Sequence, residues 1–213
     1  MTQQLIKICG LSTPETVDAA VDAGATHIGL VHFEPSPRHL SLEDAAALRR
    51  RVPKDVKVVL LTVNMQPAEL GMAHDFVKPD IVQFHGAETA EWLNLLAQHT
   101  KLEFWKAVGI QNAKSLEKVQ RYAKAAARLL YDAPAKALPG GNGVGFDWSV
   151  LDGFNHQTDW GLAGGLTPDT VADAIRRTGA PLVDASSGLE SAPGVKDIGR
   201  IRAFCEAALS ANK

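Results

Sequence analysis

The sequence predicts an α/β protein, a single-domain (β/α)8 TIM barrel that spans residues 1–213. Eight short runs rich in Val, Ile and Leu recur at intervals of roughly 27 residues, which suits a compact barrel. The segments between these runs carry apolar residues at helical spacing. A doubly wound open sheet is the competing architecture. It normally has fewer strands, and no G-x-G-x-x-G follows the first run.

Each apolar run is interpreted as one strand of the barrel. In chain order, the predicted strands are residues 5–9, 26–31, 57–63, 81–84, 103–108, 128–132, 160–163 and 181–184. No linker, low-complexity tract or block of like charges divides these strands, so the sequence predicts one domain.

The segments between the strands carry the start and stop signals of helices. Thr13 and Pro14 supply a cap and a first-turn proline for the first helix, and Gly24 ends it. Thr167 and Pro168 repeat this opening late in the chain. Apolar stripes are predicted at positions 17, 20, 21 and 24, at 92, 95, 96 and 99, at 171, 174 and 175, and at 198, 201, 205 and 208.

The composition excludes several classes of protein. The chain has 22 Lys+Arg against 24 Asp+Glu, and this balance offers no basic surface for nucleic acid or anionic lipid. The longest apolar runs, such as residues 56–63, are too short to cross a membrane, and residues 1–4 lack the start of a secretion signal. Two cysteines cannot form a disulfide scaffold, so we expect a soluble cytoplasmic protein.

Barrel active sites lie at the carboxyl ends of the strands, so the residues that end each run are the candidate site residues. Strand alternation directs Lys7 and Cys9 into the barrel, and Ile6 and Ile8 toward the helices. Cys9, at the rim, is a candidate catalytic thiol; the alternative is a buried structural cysteine. Cys205 lies on the apolar stripe of the last helix and is interpreted as structural.

Four more polar residues lie at the ends of predicted strands or in the loops that follow them. Asp132 ends the sixth strand and is a candidate general acid; the alternative is a cap for the following loop. Arg38 lies in a proline-flanked loop where a guanidinium suits a carboxylate, although a solvated loop arginine is the favoured interpretation. His85 and Asp184 are candidates for contact with a substrate.

The seventh and eighth strand ends predict a phosphate site. Gly164 and Gly165 precede the Thr-Pro helix start, and Ser186, Ser187 and Gly188 follow the eighth strand. Small residues allow close approach to backbone N–H groups, and helix N-termini favour an anion. The alternative is a pair of ordinary turns.

No metal or cofactor site is predicted. The seven histidines are scattered, without H-x-H or H-E-x-x-H and without an acidic partner at metal-ligand spacing. A Gly-rich stretch at 138–145 follows the sixth strand, on the face where barrel enzymes keep their mobile active-site loops.

Several short segments at these strand ends form an ordered set that runs from residue 7 to residue 197. They are Lys-Ile-Cys-Gly at 7–10, Ser-Pro-Arg at 36–38, Gln-Phe-His-Gly at 83–86, Asp132, Gly-Gly-Asn-Gly at 140–143, Leu-Ala-Gly-Gly-Leu at 162–166, Val-Asp-Ala-Ser-Ser-Gly-Leu-Glu at 183–190, and Lys-Asp at 196–197. The set resembles the phosphoribosylanthranilate isomerase family of the tryptophan pathway. Each motif is weak alone, but their order along the whole chain is specific.

The resemblance implies an Amadori rearrangement of N-(5-phosphoribosyl)anthranilate, in which an aldose amine becomes a 1-deoxyketose. By family analogy, Asp132 is the acid that opens the furanose ring and Cys9 is the base that takes the proton from C2. Arg38 is implied as the partner of the anthranilate carboxylate. The resemblance implies a phosphosugar as substrate and no cofactor, because the reaction needs no external oxidant, reductant or metal.

Two other functions remain as alternatives at this point. The barrel could be a phosphosugar aldolase or synthase, with Lys106 on the fifth strand as an interior Schiff-base lysine, or as a charge partner of Asp184. It could also be a non-catalytic phosphosugar-binding barrel, which has no need for an opposed acid and base. The expected assembly is a monomer or a homodimer.

Overall fold

Eight parallel strands close into a barrel in which each strand pairs with its sequence neighbours and β1 also pairs with β8. The computed structural model describes residues 3–134 and 145–211. The strands are β1 (Leu5–Cys9), β2 (His27–Val31), β3 (Lys57–Thr62), β4 (Ile81–Phe84), β5 (Glu103–Gly109), β6 (Arg128–Asp132), β7 (Asp159–Leu162) and β8 (Leu182–Ala185). The predicted (β/α)8 class is confirmed, and every strand bound lies within one residue of its predicted position.

Seven α-helices surround the barrel within the described residues. They are α1 (Pro14–Asp22), α2 (Leu42–Arg49), α3 (Pro67–Val77), α4 (Ala90–Ala97), α5 (Ala113–Tyr122), α6 (Val171–Thr178) and α7 (Ile198–Ser210). Between β6 and β7 the described residues contain a 3₁₀ helix, Trp148–Leu151, in place of an α-helix. The Gly-rich segment predicted there lies, apart from Gly145, outside the described residues. A short hairpin, β9 (Glu190–Ala192) and β10 (Val195–Lys196), precedes α7 and was not predicted.

Side chains alternate between the barrel interior and the helix layer as strand geometry requires. Ile6 and Ile8 pack with the helices in the main core cluster, whereas Cys9 packs with Val31 and Leu61 above the interior. A separate interior cluster contains Leu5, Val59, Ile81, Trp105, Ala107, Leu130 and Leu182. The predicted inward direction of Cys9 is therefore confirmed.

The helix signals are accurate where a cap is local in sequence. Thr13 caps α1 through the backbone N–H of Thr16, and Pro14 is its first residue. The late Thr-Pro start is less accurate: residues 168–170 form a turn, and α6 begins at Val171. The stripe predicted for α4 is also partly wrong, because Leu93 is fully buried while Leu95 is 55% exposed.

His27 gives the fold a predictable acid sensitivity. Its ring is buried 5.1 Å from that of Trp105, and burial, followed by the positive charge of Arg128, lowers its pKa to about 4. The unfolded chain therefore binds a proton between pH 6.5 and 4 that the folded chain rejects, so stability falls as the pH drops through this window. We expect the free energy of unfolding to lose roughly 2–3 kcal/mol between pH 7 and pH 4.5 from this group.

Urea unfolding at the two pH values measures this loss. In the His27→Gln variant the difference between pH 7 and pH 4.5 should shrink by the same amount. An undiminished difference in the variant would show that other groups cause the acid sensitivity.

No helix in the described parts of the chain is long and apolar enough to span a membrane.

Candidate active site

A cleft opens at the carboxyl ends of the barrel strands, where the active sites of such barrels lie. All ten predicted site residues line this cleft: Cys9, Arg38, His85, Asp132, Gly164, Gly165, Asp184, Ser186, Ser187 and Gly188. The strand ends therefore bring together residues that are up to about 180 positions apart in sequence, as the barrel architecture requires.

Cys9 ends β1 and is buried at the floor of the cleft. Burial raises the pKa of its thiol, the nearby Lys7 opposes that rise, and the negative charge of Asp184 adds to it. The neighbouring strand makes room for Cys9 with Gly29. A Cβ at that glycine would lie 2.9 Å from both the Cα and the Sγ of Cys9.

Lys7 and Asp184 form a buried ion pair beneath Cys9. The two residues face each other across β1 and β8, and Lys7 Nζ lies 2.8 Å from Asp184 Oδ2. Asp184 Oδ1 is buried without a hydrogen-bond partner in the described residues. Because Asp184 lines the cleft, this oxygen can accept a hydrogen bond from a bound hydroxyl. The predicted pairing of Asp184 with Lys106 is wrong, because Asp184 pairs with Lys7 and Lys106 pairs with Glu88.

Asp132 ends β6 with both carboxylate oxygens in contact with polar groups. Its Oδ1 accepts the backbone N–H of Ala133 at 2.7 Å, and its Oδ2 lies 3.1 Å from His85 Nε2. Gly164, at φ +81°, allows the adjoining loop to pass close by, since a Cβ there would lie 2.5 Å from the nitrogen of Ala133. The carboxyl group is therefore fixed in orientation at the cleft.

Lys106 is not an interior lysine, so the predicted Schiff-base nucleophile is wrong. Trp105 and Ala107 fill the interior positions of β5, and Lys106 projects to the other side of the sheet. Its Nζ lies 3.3 Å from Glu88 Oε2 and donates to the carbonyl of Gly86 at 2.8 Å. Burial lowers its pKa, while the charge of Glu88 acts in the opposite direction.

Arg38 is buried, so the interpretation as a solvated loop arginine is wrong. Its Nε and Nη2 donate to Glu190 Oε1 and Oε2 at 2.6 and 2.8 Å, a two-pronged pair with the β9 carboxylate. Gly10, at φ +75°, packs against the stem of Arg38, and a Cβ there would lie 2.6 Å from Arg38 Cδ. Glu190 lies 152 positions away in sequence, so local spacing gives no sign of this pairing.

The structure adds an apolar wall that sequence reasoning missed. Val31 and Leu61 pack with Cys9, and Phe33 and Val63 pack on the same cluster. All four line the cleft on the side of Arg38, at the ends of β2 and β3 or just beyond. These residues lie at strand ends, where site residues are expected, but in the sequence an apolar residue there cannot be distinguished from a residue of the barrel core.

The predicted phosphate residues lie together, but not on the two helix N-termini expected. Gly164 and Gly165 form a bend with φ values of +81° and +68°, and α6 begins six residues later, at Val171. After β8 the chain forms a 3₁₀ helix, Ser187–Leu189, instead of an α-helix. Gly188 packs so closely on the carbonyl of Leu166 that a side chain has no room.

Within residues 3–134 and 145–211, no group of three or more His, Cys, Asp or Glu side chains is arranged to hold a metal ion.

Comparison with known proteins identifies one family across the chain. The family model described as N-(5'-phosphoribosyl)anthranilate (PRA) isomerase matches residues 6–207. A protein of that name from Erythrobacter litoralis is 65% identical over 207 residues, which cover 97% of this chain and 99% of the relative.

Solved structures agree with the sequence match. Phosphoribosyl anthranilate isomerase from Thermotoga maritima superposes with a TM-score of 0.88 at 32% identity, covering 96% of this chain and 98% of that one. A structure of such an isomerase in complex with reduced 1-(o-carboxyphenylamino)-1-deoxyribulose 5-phosphate has a TM-score of 0.85 at 31% identity, with the same two coverages.

Proposed function

Because this chain belongs to the phosphoribosylanthranilate isomerase family, an enzyme family of tryptophan biosynthesis, we propose that Cys9 and Asp132 are its base and its acid. The proposed substrate is N-(5'-phosphoribosyl)anthranilate, and the proposed product is 1-(o-carboxyphenylamino)-1-deoxyribulose 5-phosphate. One observation carries the proposal: a thiol and a fixed carboxyl group, from β1 and β6, line one cleft that also contains an arginine and two small-residue loops.

Free, buried thiols also support the cytoplasmic location that we propose.

The reaction begins with opening of the sugar ring. Asp132 gives a proton to the furanose ring oxygen, and the lone pair of the anilino nitrogen breaks the bond between C1 and that oxygen. The result is an open-chain sugar with a protonated imine at C1. His85, 3.1 Å from Asp132 Oδ2, orients the carboxyl group for this transfer.

Isomerisation then requires loss of the proton on C2. The imine makes this proton acidic, and the thiolate of Cys9 removes it to form an enolamine. Gain of a proton at C1 and loss of one from the C2 hydroxyl yield the ketose. Asp184 Oδ1 is proposed to accept a hydrogen bond from a sugar hydroxyl, which would give this buried oxygen a partner.

The two ends of the substrate suit different parts of the cleft wall. The anthranilate ring suits the apolar wall of Val31, Phe33, Leu61 and Val63, and its carboxylate suits Arg38. Backbone N–H groups of Gly164, Gly165, Ser186, Ser187 and Gly188 are proposed to bind the phosphate.

A Schiff-base aldolase has no support, because Lys106 does not line the cleft. A non-catalytic barrel is disfavoured because the relatives are named as enzymes.

Genetic complementation tests the proposed function. A tryptophan auxotroph that lacks its own phosphoribosylanthranilate isomerase should grow without tryptophan when it expresses this chain. The Cys9→Ala/Asp132→Asn double variant, at an equal protein level, should not support growth. Failure of the wild-type chain at confirmed expression would contradict the proposal.

Arg38→Met should reduce kcat/KM by about 10- to 150-fold, because a charge-assisted pair with the substrate carboxylate contributes roughly 1.5–3 kcal/mol. Lysine at this position should restore only part of the loss, since it cannot form a two-pronged contact. Steady-state kinetics measure both effects. Arg51→Met is the matched control, since Arg51 forms a similar pair with Asp18 on the exposed surface.

A substrate analogue with aniline in place of anthranilate isolates the carboxylate contact. Wild type should strongly prefer the carboxylate-bearing substrate, and Arg38→Met should have little preference left. If Arg38→Met keeps the full wild-type preference, Arg38 does not bind the carboxylate.

Gly165→Val should raise KM about tenfold or more while it lowers kcat much less, because the side chain blocks approach of the phosphate. Inorganic phosphate should inhibit wild type competitively and the variant more weakly. Gly179→Val controls for backbone strain, because Gly179 has a φ of +66° at the end of α6 and open space at its Cβ position. Normal substrate binding by Gly165→Val would show that the phosphate binds elsewhere.

A further inference from the structure

Glu190 lies between two buried cations, Arg38 and Lys196, beside the cleft. It accepts the two-pronged contact from Arg38, and its Oε1 lies 2.6 Å from Lys196 Nζ. Lys196 in turn donates to the carbonyl and the hydroxyl of Ser186 at 3.0 and 3.2 Å. Arg38, Glu190 and Lys196 are at most 9% exposed. A chain of hydrogen bonds therefore joins Arg38 to the loop that begins at Ser186.

We propose that Glu190 and Lys196 are positioning residues that hold Arg38 and Ser186 as one unit, so that the carboxylate and phosphate ends of the substrate are bound interdependently. This inference rests on the proposed function of Arg38 and of the phosphate loops. Neither Glu190 nor Lys196 lines the cleft, so each acts through a residue that does.

The charges of this cluster favour the role. A buried guanidinium needs a carboxylate partner, but one carboxylate would neutralise it and weaken its attraction for a substrate anion. Two cations share Glu190, so the cluster keeps a net positive charge next to the cleft. Burial alone would raise the pKa of Glu190, but its contacts with Arg38 and Lys196 outweigh burial and hold that pKa below its usual value. The carboxylate is therefore ionised at neutral pH.

The backbone of the β9–β10 hairpin holds Glu190 and Lys196 next to the loop that carries Arg38. Glu190 and Lys196 pair across the β9–β10 hairpin, which brings both side chains to one end of it. The N–H of Gly194, in the hairpin turn, donates to Glu190 Oε2 at 3.2 Å. Gly194 also packs against the carbonyl of Pro37 so closely that a side chain has no room. The hairpin is thus docked on the loop that carries Arg38.

The test compares Glu190→Gln, Lys196→Met and Arg38→Met, together with the Arg38→Met/Glu190→Gln double variant. For each protein, kcat/KM is measured with the anthranilate substrate and with its aniline analogue, and inorganic phosphate is tested as a competitive inhibitor. Glu190→Gln should lower the preference for the carboxylate-bearing substrate about tenfold, the effect of one charge-assisted contact. In the Arg38→Met background it should change that preference no further. Lys196→Met should weaken phosphate inhibition several-fold, and Lys196→Arg should restore most of it.

The outcomes separate this inference from the proposed function. If Arg38→Met itself leaves the preference unchanged, the carboxylate assignment fails, and the inference fails with it. If Arg38→Met lowers the preference but Glu190→Gln does not, only the inference is overturned. Equal loss on both substrates in Glu190→Gln, with unchanged phosphate inhibition in Lys196→Met, would indicate a merely structural pair. If Glu190→Gln does not fold, Glu190→Asp takes its place in the same comparison.

Discussion

Replacement of Cys9 by alanine is expected to lower kcat by roughly 10²–10⁴-fold, the usual contribution of a positioned proton-transfer group. The KM should change little, because Cys9 is assigned to removal of the C2 proton and not to ground-state binding. Because Cys9 packs with Val31 and Leu61, alanine keeps the apolar character of this position. Steady-state kinetics of the purified variant measure both constants.

The pH profile of kcat/KM gives a second check on Cys9. Burial and the negative charge of Asp184 raise the pKa of the Cys9 thiol, and the positive charges of Lys7 and Lys196 only partly oppose this rise. The thiolate is therefore a minor form near neutral pH. The ratio of wild-type kcat/KM to that of Cys9→Ala should therefore rise with pH as the thiolate fraction grows, because both proteins keep Asp132 as the acid and differ only in the thiol. Cys205→Ala is the matched control: its thiol lies on the buried face of α7, and kcat should stay at the wild-type value. Turnover by Cys9→Ala near that of wild type would remove Cys9 from the mechanism.

Asp132→Asn should also lower kcat by roughly 10²–10⁴-fold with little change in KM. The amide keeps the size of the side chain and can still accept the backbone N–H of Ala133, but it cannot give a proton to the ring oxygen. The loss therefore reports on acid catalysis more than on folding, which thermal unfolding of the variant will verify. Asp159→Asn, at the exposed start of β7, should leave kcat unchanged. An active Asp132→Asn would require a different acid, and His85 would be the first to test.

The strands and the positions of the site residues could be predicted from the sequence because both depend on local patterns. Short apolar runs rich in Val, Ile and Leu predict the strands, and barrel geometry then brings the ends of β1 and β6 to one mouth. Period-two alternation was also sufficient to point Cys9 inward. The same rule applied to β5 would have turned Lys106 outward, since Trp105 and Ala107 occupy its interior face.

The features that could not be predicted depend on partners distant in sequence. Nothing near Arg38 indicates Glu190, which the β9–β10 hairpin brings to it from 152 positions away. The partner of Asp184 likewise depends on the register between β1 and β8, which selects Lys7. The apolar wall around Phe33 was missed for another reason: an apolar residue at a strand end has the same sequence pattern as the core.

Conversion of N-(5'-phosphoribosyl)anthranilate by the purified chain tests the central claim most directly. Product identity and rate are followed by NMR for wild type and for the Cys9→Ala/Asp132→Asn double variant. Wild type should form 1-(o-carboxyphenylamino)-1-deoxyribulose 5-phosphate completely, and the double variant should be slower by at least about 10²-fold. A double variant that forms the same ketose at a rate close to that of wild type would contradict the assignment of acid and base.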